Sequence, residues 1–271
     1  MVIGDIHLRS FAEDGAAVQL AATLYLPPLS SHERVPGLIV GHGAGSRRGN
    51  HDEFCRVACL GGFAVLALDF RGHGDSGGQA DGPLERDILS AADHLRGLPF
   101  VDAERICYRG SSMGGFYGLK SAAEARFAAL VLLCPASEGV ILEAIDEAEK
   151  EESARTTLES SSRERRESPR EATGESPGDS TGPAWDRDGL RRYFLAEDSL
   201  LLAAGVQSPV LIVHARADEV VPFEHSLHLT EALAGPATLM ALPGGSHTSA
   251  QHDGEVHRQT LEWLRSCSAA T

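Results

Sequence analysis

Three residues in this chain stand where acyl-transfer chemistry would need them. Gly110-Ser111-Ser112-Met113-Gly114 is a G-x-S-x-G, placed where the apolar run "RICYRG" (105–110) gives way to a helical pattern beginning near Met113. A serine at so sharp a strand-to-helix turn presents its Oγ above the sheet, and small flanking residues prevent the clashes the turn creates. Ser111 cannot be the centre, because Arg109 and Met113 would occupy its glycine positions. Serine is a weak nucleophile at neutral pH, so it needs a base, and the base needs an orienting acid. Asp218 in "HARADEVVP" and His247 in "GGSHT" each follow a later apolar run, giving the order serine, acid, histidine. Glu219, His252 and His257 lack that position and read as exposed side chains. The glycine-rich "VGHGAGS" (40–46) lets backbone N–H groups turn towards a developing negative charge. Its Ala44 N–H, with that of Met113, is the expected oxyanion hole. His42 precedes the serine and reads as a brace for this turn.

A competing stretch is Phe70 to Gly78, "FRGHGDSGG". It contains both the GDSGG of trypsin-like proteases and a G-x-G-x-x-G. The protease reading needs two antiparallel barrels with the serine after the histidine and the acid, whereas Ser76 falls in the first third of the chain. The dinucleotide reading needs a helix directly after the glycines and an acidic residue about 20 positions on. Gly78 to Pro83 delay any helix. Ser76 therefore reads as a turn residue.

The elements that must position the three candidates alternate. Extended segments at 2–9 and 16–26 read as a hairpin, followed by strands at 37–43, 63–70, 105–110, 127–135, 209–215 and 237–244. Helices are expected over 50–60, 83–96, from Met113, and over 223–234 and 254–266. Such alternation implies a mostly parallel sheet covered on both faces. The 138–190 segment interrupts it. Residues 138–152 are amphipathic, with Ile141, Ile145 and Ala148 on one face. Residues 153–183 are rich in Ser, Arg, Glu, Pro and Gly, a composition that predicts disorder. The chain is thus one domain, 1–271, carrying a cap-position insertion.

The formal charge of −15 opposes approach to nucleic acid or an anionic membrane surface. The insertion, with 15 Asp/Glu against 7 Lys/Arg over 138–190, holds more than half of it and should repel anionic substrates. No segment approaches the roughly 20 apolar residues that span a bilayer, and the N-terminus lacks a basic region followed by an apolar run, so a cytoplasmic protein is expected. The odd count of five cysteines, mostly in apolar segments, fits reduced thiols used as small hydrophobes. Cys55 and Cys59 lack a second ligand pair for a metal.

"GHGAGS", "DFRGHGDSGG", "GSSMGG", "LIVHARADEVVP" and "GGSHT" together resemble successive blocks of the α/β-hydrolase fold superfamily. They are most similar to the branch of monoglyceride lipases, cinnamoyl or feruloyl esterases and serine-aminopeptidase-like hydrolases. The resemblance implies the α/β-hydrolase fold, Ser112, Asp218 and His247 as catalytic residues, a structural role for "RGHGDS", and a cap after the sixth strand. The expectation is a serine hydrolase acting on a small-molecule carboxylic ester, with no metal and no cofactor. Acyl transfer, peptide or thioester cleavage on the same residues, and a non-catalytic binding module remain the alternatives.

Overall fold

The computed structural model describes residues 1–29, 34–164 and 184–269. Eight strands form one sheet: β1 (Val2–Phe11), β2 (Ala17–Leu26), β3 (Val35–Gly41), β4 (Ala64–Leu68), β5 (Val101–Ser111), β6 (Ala129–Leu133), β7 (Val210–Ala215) and β8 (Ala237–Leu242). Their spatial order is β1-β2-β4-β3-β5-β6-β7-β8. The β1–β2 hairpin and the β2–β4 pair are antiparallel, and the other pairs are parallel. Every residue of β4, β6 and β7 is buried, as expected for parallel strands covered on both faces.

Helix α1 (Asp52–Leu60) and the terminal α9 (Gly254–Cys267) cover one face, inserting Phe54, Leu261 and Leu264 among Leu38, Val40, Val65 and Val131. On the other, α2 (Glu85–Gly97), α3 (Met113–Ala125) and α7 (Phe223–Ala232) add Ile88, Phe116 and Leu229 to a core containing Leu20, Ile39, Leu66 and Tyr108. All five cysteines are free and four are buried. Burial pushes the Cys55 and Cys107 thiols up to about 12, which suits their use as apolar filler.

After β6 the chain leaves the sheet. Helix α4 runs from Glu138 to Glu164, well into the segment whose composition predicts disorder; the remaining residues of that segment, 165–183, lie outside the described residues. The chain returns through α5 (Arg187–Phe194) and α6 (Ser199–Gly205), capped by Asp186 and Asp198 side chains that accept from N–H groups of the first turn. Arg191 pairs with Asp146 and Glu149, and Arg187 with Glu152, so acidic residues of α4 are matched by arginines of α5. The last short helix is α8 (Ser249–His252).

Among the described residues no helix is long and apolar enough to cross a membrane.

Candidate active site

Parallel pairing places the ends of β3 and β5 side by side, Gly41 opposite Gly110, and Ser111 opposite Leu133 of β6. Ser112 follows with φ 51° and ψ −117°. That conformation costs an L residue on the order of 1–3 kcal/mol and persists only where the surroundings fix it. They do: Ser112 N–H donates to the Leu133 carbonyl at 2.8 Å, and the Ser112 carbonyl accepts from Gly115 and Ala136 N–H at 2.8 and 3.1 Å. A Cβ on Gly110 would lie 2.4 Å from the Gly114 carbonyl oxygen, and one on Gly114 would lie 2.6 Å from that of His42. The flanking glycines are thus demanded by backbone contact.

Asp218 lies in the loop after β7 and is wholly buried at its carboxylate. Oδ1 accepts from the N–H groups of Val220 and Val221 at 2.8 and 2.9 Å, and Oδ2 lies 2.8 Å from His247 Nδ1. Burial pushes its pKa up, but the Val221 N–H, His247 and the Val220 N–H outweigh it and hold the carboxyl below its usual range. A carboxylate only accepts, so Nδ1 of a neutral His247 carries the proton and Nε2 is left basic. Among the described residues Ser112 Oγ has no hydrogen bond to His247, although both side chains line one cavity. Ala44 and Met113 also line that cavity, and their backbone N–H groups have no acceptor among the described residues. Gly43 is close enough that a Cβ there would lie 3.3 Å from Ser112 Cβ.

The cavity encloses about 380 Å³. The insertion supplies an apolar wall of Val140, Ile141, Ile145, Trp185 and Leu190, which Phe194 at the end of α5 extends. Ser46, Asn50, Thr248 and Gln251 supply polar groups, and among the described residues no Asp, Glu, Lys or Arg lines it.

His42 is the expected brace. It is fully buried, with Nδ1 2.7 Å from the Gly43 carbonyl and Nε2 accepting from Phe70 N–H at 3.1 Å. Ser76 is equally committed: Oγ donates to the Asp69 carbonyl at 2.6 Å and accepts from Ala21 N–H at 2.8 Å. The "FRGHGDSGG" stretch is an anchored loop. Arg71 is buried against Asp87 at 2.6 Å, and Gly72, at φ 73°, lies where a Cβ would be 2.4 Å from the Ala184 carbonyl oxygen. The insertion's return strand docks there, through Ala80 N–H to the Ala184 carbonyl and Ala184 N–H to the Gly72 carbonyl, both at 2.8 Å.

The sequence reading of His257 needs correction. It is not exposed but buried on α9, with Nε2 2.7 Å from the Gln251 carbonyl, because the first turn of that helix faces α1. The reading also passed over His214, which lies beside Asp218. Cys134, His214 and Asp218 present potential metal-binding atoms within 4.8 Å of one another. Asp218 in that trio is already held by two backbone N–H groups and His247.

Residues 38–259 match the family model described as alpha/beta hydrolase family. The chain belongs to the alpha/beta hydrolase family. A quorum-quenching protein of Acinetobacter baumannii is 32% identical to this hydrolase over 133 residues, 46% of this chain and 43% of that protein. The hydrolase thus spans less than half the length of that relative. Human monoglyceride lipase is 33% identical over 109 residues, 36% of this chain and 34% of the lipase. A solved structure of Est1E from Butyrivibrio proteoclasticus with ferulic acid bound superposes with a TM-score of 0.72 at 22% identity, covering 98% of this chain and all of that one. An acetyl xylan esterase from Thermoanaerobacterium superposes at 0.64 with 19% identity, covering 97% of this chain and 84% of the esterase. At these identities the structural likeness establishes the α/β-hydrolase fold alone.

Proposed function

We propose that this alpha/beta hydrolase is a serine esterase that cleaves neutral carboxylic esters through an acyl-enzyme. The observation that carries the reading is that Ser112, on a positive-φ turn, and His247, whose Nδ1 lies 2.8 Å from the buried Asp218 carboxylate, line one cavity. Ser112 Oγ attacks the carbonyl carbon while its proton passes to His247 Nε2. The carbonyl electron pair moves onto oxygen, which accepts from the Ala44 and Met113 N–H groups. Its return expels the alkoxide, which takes the proton from His247. Water then attacks the acyl-Ser112 carbonyl by the same route and releases the acid. Asp218 holds the imidazole tautomer and stabilises the imidazolium.

The cavity lining supports an uncharged substrate. Among the described lining residues, a bound peptide α-ammonium or an anionic acyl group would meet no Asp, Glu, Lys or Arg, and its desolvation would cost several kcal/mol. The apolar wall from the insertion offers the acyl group a dry surface. Human monoglyceride lipase and the esterase structures among the similar proteins point the same way. The test is steady-state hydrolysis of p-nitrophenyl butyrate beside an aminoacyl p-nitroanilide and a succinyl ester. The neutral ester is expected to have the highest kcat/KM by at least tenfold; preference for the aminoacyl amide would overturn the assignment.

A further inference from the structure

Asp218 Oδ2 faces two imidazoles. His247 Nδ1 is 2.8 Å away, and His214 Nε2, from the end of β7, is 3.1 Å away on the other side. The same His214 Nε2 lies 3.1 Å from the Val221 carbonyl, and His214 Nδ1 lies 2.6 Å from Ser226 Oγ on α7. Proton positions follow from these partners. Nε2 faces a carboxylate and a carbonyl, neither of which donates, so it must carry hydrogen. His214 is fully buried, and burial lowers its pKa, keeping the ring neutral. Nδ1 is then a bare acceptor, and Ser226 Oγ must donate to it. One directed chain results: Ser226 O–H to His214 Nδ1, His214 Nε2–H to Asp218 Oδ2, and His247 Nδ1–H to the same oxygen.

We propose that His214, held by Ser226, is a positioning residue: it takes a share of Asp218 Oδ2 and thereby limits how strongly that oxygen holds the His247 imidazolium. The arrangement exists for a physical reason. Val220 and Val221 N–H groups fix only Oδ1, so the share of Oδ2 that His214 takes is withheld from His247. An imidazolium held more tightly forms at higher pH and is a weaker proton donor to the leaving alkoxide. The titratable groups around this chain are few. Asp218 is flanked by Cys134, just after β6, whose thiol burial pushes up to about 12, and by Glu219, which accepts the His247 backbone N–H at 3.2 Å. His214 also faces His225 on α7, whose pKa burial lowers to about 4. His252 lines the same cavity as His247. Among these, His214 and His247 are the two that the structure pairs with Oδ2.

The proposal rests on the Ser112–His247–Asp218 reading, and its test is run on Ser112-dependent ester hydrolysis so that the two can fail separately. The measurement is the pH profile of kcat/KM for p-nitrophenyl butyrate in His214→Leu, His214→Gln and Ser226→Ala. His214→Leu removes the N–H at nearly constant volume. Its acid limb is expected to move to higher pH by about half a unit, and kcat to fall by no more than about threefold, the change in proton-donor strength that such a shift represents, with KM within about twofold. His214→Gln keeps an N–H near Asp218 and is expected to restore the wild-type limb. Ser226→Ala, which leaves the imidazole in place, is expected to move the limb in the same direction by less. If His214→Leu does not fold, the Gln and Ala variants decide. A limb that stays put in every folded variant lacking the donor, or that moves equally with Gln, would overturn the proposal. Loss of Ser112 dependence would instead overturn the esterase reading.

Discussion

Two glycine-rich turns in this protein each carry a serine, and they differ in what their hydroxyls are free to do. Ser76 sits in the turn whose spelling matches known functional motifs, yet its Oγ both donates and accepts within that turn, and its neighbours Arg71 and Asp69 are tied by buried ion pairs. Ser112 sits in the shorter motif, with its backbone held in a costly conformation by Leu133, Gly115 and Ala136 while its Oγ faces a cavity. The first turn uses its serine to close backbone hydrogen bonds. The second spends backbone strain to keep a hydroxyl available. A serine's chemistry is therefore decided by the saturation of its oxygen and by the strain around it, and motif spelling ranks behind both.

The sharpest way to break this comparison is to remove each hydroxyl. Ser112→Ala is expected to lower kcat by about 10⁴-fold or more while leaving the thermal midpoint within a few degrees. Ser76→Ala is expected to do the reverse, keeping most activity and losing about 1–3 kcal/mol of unfolding free energy, because the Asp69 carbonyl and Ala21 N–H lose their shared partner. Paired ester assays and denaturant titrations check both. Exchange of the two phenotypes would reverse the assignment. One step smaller, Asp218→Asn should keep the fold and lower kcat by about 10³–10⁴-fold, since an amide N–H facing His247 favours the wrong tautomer. Full activity in a folded variant would direct the search to another acid.

The smallest effect separates the turns by pH. His42, which joins the two by accepting from Phe70 N–H, is lowered to about 3 by burial and by the neighbouring His73, against the Gly43 carbonyl. His73, in the "RGHGDS" loop, is lowered as well, chiefly by burial. The unfolded chain takes up these protons below about pH 6.5, and native His42 does so only near 3. Their contribution to stability is therefore full above about pH 6.5 and is lost progressively as pH falls towards 3. Urea unfolding at pH 7, 5.5 and 4.5 should show a decreasing unfolding free energy, with a shallower dependence in His42→Asn. Equal dependence in the variant would refute this source.

Most of the alternation was legible because β3, β4, β6, β7 and β8 are apolar runs bounded by glycine or proline and α2 repeats its apolar residues at helical spacing, whereas β5 opens on Asp102, Glu104 and Arg105 and reads as a strand only from residue 105. The insertion was legible only in part. Ile141 and Ile145 were visible as a wall, but α5 is eight residues long and its two buried large apolar residues, Leu190 and Phe194, are too few to show a period. α4 continues through residues whose composition argues for no structure, and its first half is held by the burial of Ile145 in the core and by ion pairs to α5. The candidate site was legible where side chains do the work, in Ser112, Asp218 and His247. The Ala44 and Met113 donors are backbone groups that the sequence marks only through nearby glycines. His214 was missed because a histidine inside an apolar strand reads as core, although its spacing of four from Asp218 was in plain view.

If the proposed reaction operates, Ser112 becomes acylated. The most direct measurement is peptide mapping by mass spectrometry after brief reaction with p-nitrophenyl butyrate at acidic quench, and after treatment with a fluorophosphonate. A butyryl or phosphonyl adduct is expected on the peptide containing Ser112, present in Ser76→Ala, weakened in Asp218→Asn and absent in Ser112→Ala. An adduct on Ser76, or the absence of any adduct from a protein that is turning the ester over, would contradict it.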